Sequence, residues 1–84
     1  MTLKGLLEGI REKGEELVLK VITYKGQPIS TTILFFRGGR WIFQTTTNIE
    51  GKDELIEEFV SRDVAVQEVR TYLVWERERV KRGG

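Results

Sequence analysis

The first hydrophobic residues of the chain recur at helical spacing. They occupy positions i, i+3, i+4 and i+7 of one stripe: Leu3, Leu6, Leu7 and Ile10. Thr2 precedes this stripe and is of a residue type that caps helix N-termini, while Gly14 follows it where a glycine commonly ends a helix. The pattern therefore predicts a helix between Thr2 and Gly14, with its apolar stripe facing the core.

From Glu15 to Asn48 the pattern alternates as in strands and is rich in β-branched and aromatic residues. It predicts three strands, at Leu17 to Lys25, Ile29 to Arg37 and Arg40 to Thr47. Their turns are predicted at Gly26-Gln27-Pro28 and at Gly38-Gly39, since two glycines readily adopt positive φ. Connections this short favour antiparallel neighbours, because a parallel pair would need a long crossover.

Beyond the third strand the pattern returns to helical spacing. Thr47 or Asn48 can cap a second helix, and Thr47 with Glu50 has the spacing of a capping box. The apolar face of this predicted helix consists of Leu55, Ile56, Phe59 and Val60.

Residues 64–80 are compatible with two structures. A helix would carry one apolar stripe, made of Ala65, Val66, Val69, Tyr72, Leu73 and Val80. Residues 69–75, however, have the composition of a strand. A fourth strand is favoured, because a strand buried on both faces also accommodates Val64, Val74 and Trp75.

These elements predict an α+β fold in one domain spanning residues 1–84. It has a three- or four-stranded, largely antiparallel sheet packed with two helices, in the order α-β-β-β-α-β, with a helix as the alternative for the last element. Apolar residues make up 39% and charged residues 32% of the chain, which is too apolar for intrinsic disorder.

The chain contains neither histidine nor cysteine. Because both residue types are absent, we exclude the common catalytic pairs of nucleophile and base, structural zinc sites and iron–sulfur sites. A binding protein without enzymatic activity is therefore expected. No cofactor is expected either, apart from the Ca²⁺ considered below.

Charge and hydropathy bear on partners and location. The net charge is only +1, so any affinity for nucleic acid must come from a local patch. The longest apolar runs, Thr32 to Phe36 and Tyr72 to Trp75, fall far short of a membrane span of about 20 residues. The first residues lack the apolar core of a secretion signal. No membrane association and a cytoplasmic location are therefore expected.

Polar and aromatic residues are mixed across the predicted sheet, so the side without helices is expected to be only half polar. These residues are Lys20, Thr23, Tyr24, Thr31, Thr32, Trp41, Phe43, Gln44, Thr45, Thr46 and Thr47. Small domains seldom leave a wide apolar patch in water. The leading hypothesis is an interaction module that meets a protein partner or a second copy. The alternative is that the helices and tail cover both sides.

An acidic run around the predicted start of the second helix offers many oxygens within a short stretch. Its candidate ligands are Asn48, Glu50, Asp53, Glu54 and Glu57. Ca²⁺ takes six to eight oxygen ligands in a flexible cage, so weak Ca²⁺ binding is one hypothesis. The spacing is not that of an EF-hand. Acidic residues in a first helical turn also meet the macrodipole favourably, which explains them without a metal.

Arginines and tryptophans suggest a third hypothesis, nucleic-acid binding. The candidates are Arg37, Arg40, Trp41, Trp75, Arg77 and Arg79. Arginine can grip phosphates while tryptophan stacks on a base. Glu76 and Glu78 alternate with the arginines of the tail. Alternating charges are also typical of a solvated segment whose side chains form ion pairs with one another.

Three families show partial resemblances. The helix, three strands and helix predicted over the first 60 residues resemble double-stranded RNA-binding domains in order. The chain lacks that family's loop histidine, however, and has Glu50, Asp53 and Glu54 in place of its lysine cluster. Residues 53–79 resemble the closing helix and strand of the ligand-sensing domains of Lrp/AsnC regulators. Gly83-Gly84 resembles the end of ubiquitin-like modifiers, whose terminal carboxylate is activated for conjugation.

In size, charge content and lack of histidine and cysteine, the chain also resembles small uncharacterised proteins of thermophilic archaea. This likeness implies no function.

Overall fold

The computed structural model describes residues 2–81, which form two helices and four strands. In chain order these are α1 Leu3–Lys13, β1 Leu17–Tyr24, β2 Gln27–Arg37, β3 Arg40–Ile49, β4 Lys52–Val60 and α2 Arg62–Lys81. The strands form one antiparallel sheet in the order β1-β2-β3-β4. The α+β class and the antiparallel sheet with two helices are confirmed.

Helix α1 begins and ends at the residues that the sequence predicted. The Thr2 hydroxyl accepts a hydrogen bond from the Gly5 N–H at 3.0 Å, which satisfies one free donor of the first turn. Gly14 closes the helix in the left-handed conformation, with φ at 69°. Ile10, the last residue of the predicted stripe, is buried.

Two-residue turns connect the neighbouring strands of the described sheet. They are Lys25-Gly26, Gly38-Gly39 and Glu50-Gly51, and both residues of each turn have positive φ. This is the conformation of type I′ turns, whose twist matches that of the flanking strands. The first turn therefore lies one residue earlier than Gly26-Gln27-Pro28, and Pro28 belongs to β2.

The prediction of a helix after the third strand is wrong, because residues 52–60 form β4. The Glu50-Gly51 turn reverses the chain and brings Lys52 back alongside Ile49. Four apolar residues, spaced to form one helical stripe, instead alternate between the two sheet faces: Leu55, Ile56, Phe59 and Val60. Spacing alone cannot distinguish these two arrangements, and the turn decides between them.

The preference for a final strand is also wrong, and its alternative is correct, since residues 62–81 form α2. The observed order is α-β-β-β-β-α. The Ser61 hydroxyl accepts a hydrogen bond from the Val64 N–H at 3.2 Å and caps the helix. Ala65, Val69 and Leu73 recur every fourth residue and pack on the core. This packing outweighs the strand-like composition of residues 69–75.

Both helices pack on one face of the sheet. The buried cluster between these layers consists of Ile10, Leu34, Trp41, Ala65 and Val69. The Phe36 and Trp41 rings meet edge to face, with centroids 5.1 Å apart. Partly buried residues from both helices and the four strands surround the cluster: Leu3, Leu6, Leu7, Leu17, Leu19, Phe36, Phe43, Val60 and Leu73.

The resulting molecule is a plate that measures 38 × 38 × 19 Å. Its short dimension corresponds to one helix layer on one sheet layer, because packed layers lie about 10 Å apart. Both described helices lie on the same side of the sheet, so neither of them packs on the opposite face. Within residues 2–81, neither helix is long and apolar enough to span a membrane.

Two substitutions in the third turn should change stability in opposite directions. Gly51→Ala should destabilise the protein by about 1 kcal/mol, because a Cβ is disfavoured at positive φ. Glu50→Asn should stabilise it by about 0.5 kcal/mol, since asparagine adopts positive φ more readily than glutamate. Urea denaturation of both variants beside the wild type measures these effects. Equal destabilisation by both would contradict this turn geometry.

The cap of α2 can be tested in the same way. Ser61→Ala should lower the free energy of unfolding by about 1 kcal/mol, because the Val64 N–H loses its partner. Ser61→Asp supplies another capping oxygen and should restore most of the loss. If Ser61→Ala and Ser61→Asp are equally destabilising in urea denaturation, the serine does not act as a cap.

Candidate functional site

The sheet face opposite the helices is not covered by either helix in the described part of the chain. Cross-strand partners share a face, and neighbours along a strand alternate, so the positions of Leu34, Trp41 and Phe43 against the helices determine the other face. We call this surface the open face. Its residues are Val18, Val21, Thr31, Ile33, Phe35, Arg37, Arg40, Ile42, Gln44, Thr46, Asn48, Asp53, Leu55, Glu57 and Phe59.

The centre of the open face is apolar. Phe35, Ile42 and Phe59 lie side by side on β2, β3 and β4. Ile42 is only 1% exposed and Phe35 only 8%, although no helix lies over them, because neighbouring side chains crowd around them. Phe59, on the edge strand, is 63% exposed. The apolar residues of the open face therefore extend from a buried centre to a solvent-exposed edge strand.

Charged and amide groups border this apolar centre. The Arg37 guanidinium pairs with the Glu57 carboxylate, with Nη2 and Oε1 3.0 Å apart. The Gln44 amide donates to the other Glu57 oxygen, Oε2, at 2.8 Å. Together the Gln44 and Arg37 donors hold the pKa of Glu57 below its usual range. These two donors therefore favour the carboxylate form of Glu57, and this form keeps its contacts with Arg37 and Gln44 at the border of the open face.

Two arginines also cover the aromatic rings of the open face. The Arg37 Cζ atom lies 5.1 Å from the centroid of the Phe35 ring, and Arg40 Cζ lies 4.6 Å from that of Phe59. Such cation–π contacts contribute on the order of 0.5–1 kcal/mol at exposed sites. They shield part of the rings and leave flat guanidinium groups facing outward, a composition typical of interfaces.

The predicted sheet-face residues divide between the two sides of the sheet. Thr31, Gln44 and Thr46 lie on the open face, whereas Thr32, Thr45 and Thr47 share the helix side with Trp41 and Phe43. The hydroxyls of Thr32 and Thr45 lie 3.1 Å apart. The aromatic character of the open face instead comes from Phe35 and Phe59. Phe59 was not predicted as a residue of the sheet face, because the sequence pattern placed it in a helix. The Glu50-Gly51 turn was the sequence signal that could have indicated a strand there.

The five predicted Ca²⁺ ligands do not converge. Asn48 donates to Asp53 across the hairpin, and Glu50 occupies the turn. Glu54 lies on the opposite face from Asp53, since successive residues of a strand alternate. Glu57 lies further along β4, paired with Arg37. Among residues 2–81, no group of three or more acidic side chains is arranged to hold a metal ion.

The predicted nucleic-acid ligands are likewise dispersed. Arg37 and Arg40 lie on the open face, whereas Trp41 is 7% exposed on the helix side. Trp75 is exposed on α2, a helix that also carries Arg77 and Arg79. The Glu76 carboxylate lies 2.7 Å from Arg79 Nη2 and raises the pKa of this arginine above its usual range. The arginine and tryptophan side chains do not form one surface.

The suggested terminal Gly83-Gly84 motif lies outside the described residues. Comparison of the chain with protein-family models, curated proteins and solved structures found no match.

The border of the open face yields a prediction about pH. Gln44→Leu should raise the pKa of Glu57 toward its usual value of 4.5, because the main hydrogen bond that lowers it is lost. NMR titration of the Glu57 side-chain carboxyl carbon measures this shift. Thr46→Val, on the same strand and face, is the control and should leave the titration unchanged.

The same pair of variants tests the linked stability. A lowered folded-state pKa stabilises the protein above the unfolded value and loses this contribution as the pH falls through the folded value. Below about pH 4.5, acidification should therefore destabilise the wild type more steeply than Gln44→Leu. Parallel stability curves for the two proteins would mean that Gln44 does not hold the carboxylate.

Proposed function

We propose that this protein is a non-catalytic interaction module that self-associates by packing its open face against the open face of a second copy. The observation that carries this proposal is the exposed apolar side chains on the two edge strands of the open face, which no described helix covers. The two sheets would stack about 10 Å apart, as in a β-sandwich, with side chains from both faces filling the space.

The distribution of apolar side chains supports association. Among residues 2–81, four large hydrophobic residues of the open face are exposed by more than 40%: Val18, Val21, Leu55 and Phe59. A domain of this length buries only about 60% of the surface that its unfolded chain exposes, so its stability from one core is modest. Each square ångström of apolar surface removed from water contributes about 25 cal/mol, so covering the open face would add substantially.

The size of the open face suits a specific dimer. Four strands of 8, 11, 10 and 9 residues, at about 3.4 Å per residue and spaced about 4.8 Å apart, give a face of roughly 600 Å². A standard protein–protein interface buries about 800 Å² on each partner. Full stacking of two open faces therefore reaches the range of stable complexes.

The charges on the open face favour a second copy over an unrelated partner. Arg37 and Arg40 lie at the end next to the second turn, whereas Asp53 lies at the opposite end, next to the third turn. A two-fold axis that lies between the two faces and perpendicular to the strands would place the basic end of each copy near the acidic end of the other. The net charge of +1 adds little repulsion between copies.

The edges of the sheet are less suited to association than its face. Strand β1 is irregular at two places, where its register with β2 shifts. Strand β4 carries five charged residues: Lys52, Asp53, Glu54, Glu57 and Glu58. Bulges and edge charges both hinder the addition of another strand. Association through the face thus uses the surface that lacks such protection.

One pair of substitutions in β4 tests the proposal. Phe59 and Ile56 are similarly exposed, at 63% and 60%, but point to opposite sides of the sheet. Phe59→Glu should weaken dimerisation by about 100-fold or more, because it buries a carboxylate in an apolar interface. Ile56→Glu, the matched control, should remain dimeric. Multi-angle light scattering over a concentration series measures both, with far-UV circular dichroism to verify folding.

The outcomes separate the open face from other surfaces. Dissociation by Ile56→Glu but not by Phe59→Glu would assign the interface to the helix side. A wild-type chain that stays monomeric up to millimolar concentration would overturn self-association. Capture of an unrelated protein that Phe59→Glu abolishes, with the chain itself monomeric, would replace the second copy by that partner.

A further inference from the structure

A cavity of about 380 Å³, open to solvent and with all of its charged lining residues exposed, lies between α1 and α2 on the helix side of the sheet. Its charged lining consists of Lys4, Glu8 and Arg11 from α1 and Arg62 and Arg70 from α2, and Trp41 contributes from the sheet. The volume lies within the range of small-molecule sites, about 300–1,000 Å³. None of the residues of the open face lines this cavity.

The cavity concentrates positive charge. Its lining carries four cationic side chains and one carboxylate, an excess of three, whereas the whole chain carries only +1. Arg11 pairs with Glu12, but Lys4, Arg62 and Arg70 form no ion pair with any residue in the range 2–81. Interspersed charges of both signs favour solubility, and the lining departs from that arrangement.

The two helices place these cations on both sides of one space. Arg62, Val66 and Arg70 recur every fourth residue and therefore share one face of α2. On α1, Lys4 and Arg11 lie seven residues apart and also share a face. Like charges on the two sides of one space repel each other, and an anion bound between them would relieve this repulsion.

The cavity also has apolar walls. Leu7 and Val66 line it from the two helices, and Trp41, packed against Phe36 and 7% exposed, contributes a small part of its surface from the sheet. A bare inorganic anion would use only the cations. An organic anion would use both parts of the lining.

From these features we infer that the cavity binds a small organic polyphosphate of the nucleoside di- or triphosphate class. The guanidinium groups of Arg62 and Arg70 would donate paired hydrogen bonds to phosphate oxygens, a geometry that suits arginine better than lysine. The base would lie against the apolar walls. The excess of three positive charges matches a polyphosphate better than a monoanion.

This inference does not depend on self-association, because the cavity and the open face lie on opposite sides of the sheet. Either one can fail while the other holds.

Trp41 provides the readout. The chain has two tryptophans, so Trp75→Phe leaves Trp41 as the only one. Titration of this variant with ATP at constant ionic strength should give a saturable change in Trp41 fluorescence. Affinity should fall from ATP through ADP to AMP, and adenosine should give no saturable change. The order follows from the number of phosphate charges that meet the cations.

Charge removal tests the arginines. In the Trp75→Phe background, Arg62→Gln with Arg70→Gln should weaken ATP binding by about tenfold or more, since hydrogen bonds to charged groups are lost. Arg77→Gln removes one positive charge on the same helix but outside the cavity, and it should leave the affinity unchanged. ATP should also raise the melting temperature of the wild type but not that of the double variant.

Several results would overturn the inference. They are the absence of any ATP effect on fluorescence and melting temperature, an unchanged ATP affinity in the double variant, and equal losses in the double variant and in Arg77→Gln. Inorganic triphosphate that binds as tightly as ATP would exclude a role for the apolar walls. A single-stranded oligonucleotide that binds far more tightly than ATP would assign the cations to nucleic acid.

Discussion

The whole structure depends on packing the two helices against a single face of the sheet. Leu34 and Trp41 meet Ile10, Ala65 and Val69 in the cluster that holds the layers together. Because side chains alternate along a strand, each residue that joins this cluster sends its neighbours to the other face. Phe35 and Ile42 are apolar neighbours of this kind. A one-sided core in a chain with apolar residues on both sides of its strands therefore creates the open face.

The turns then determine which residues meet on that face. A shift of one residue at Glu50-Gly51 would move every side chain of β4 to the other side. The observed register brings Glu57 beside Gln44 and Phe59 beside Ile42. One two-residue turn therefore determines three features of the open face: the ion pair, the amide hydrogen bond and the aromatic edge. The composition of the candidate interface depends on the register of the sheet.

Local signals predicted the first half of the fold, where each signal had one interpretation. Thr2, the helical leucines and Gly14 agree on α1, and alternation with Gly38-Gly39 agrees on β2 and β3. The second half carries ambiguous signals. Glu50 at positive φ is unusual for a non-glycine residue, so Glu50-Gly51 resembled the start of a helix more than a turn. The acidic site was assigned wrongly for the same reason, because its members depend on the register of β4. The threonine-rich set divides for another reason, since consecutive residues of β2 and β3 alternate between the two faces.

Strand β3 connects the two sides of the plate. Trp41 contributes to the cationic cavity, while its neighbours Arg40 and Ile42 belong to the open face, where Arg40 stacks on Phe59. Three consecutive residues therefore contact the core, the cavity and the uncovered surface. Trp41 is also packed edge to face on Phe36 and against the helices, so it is held firmly in place.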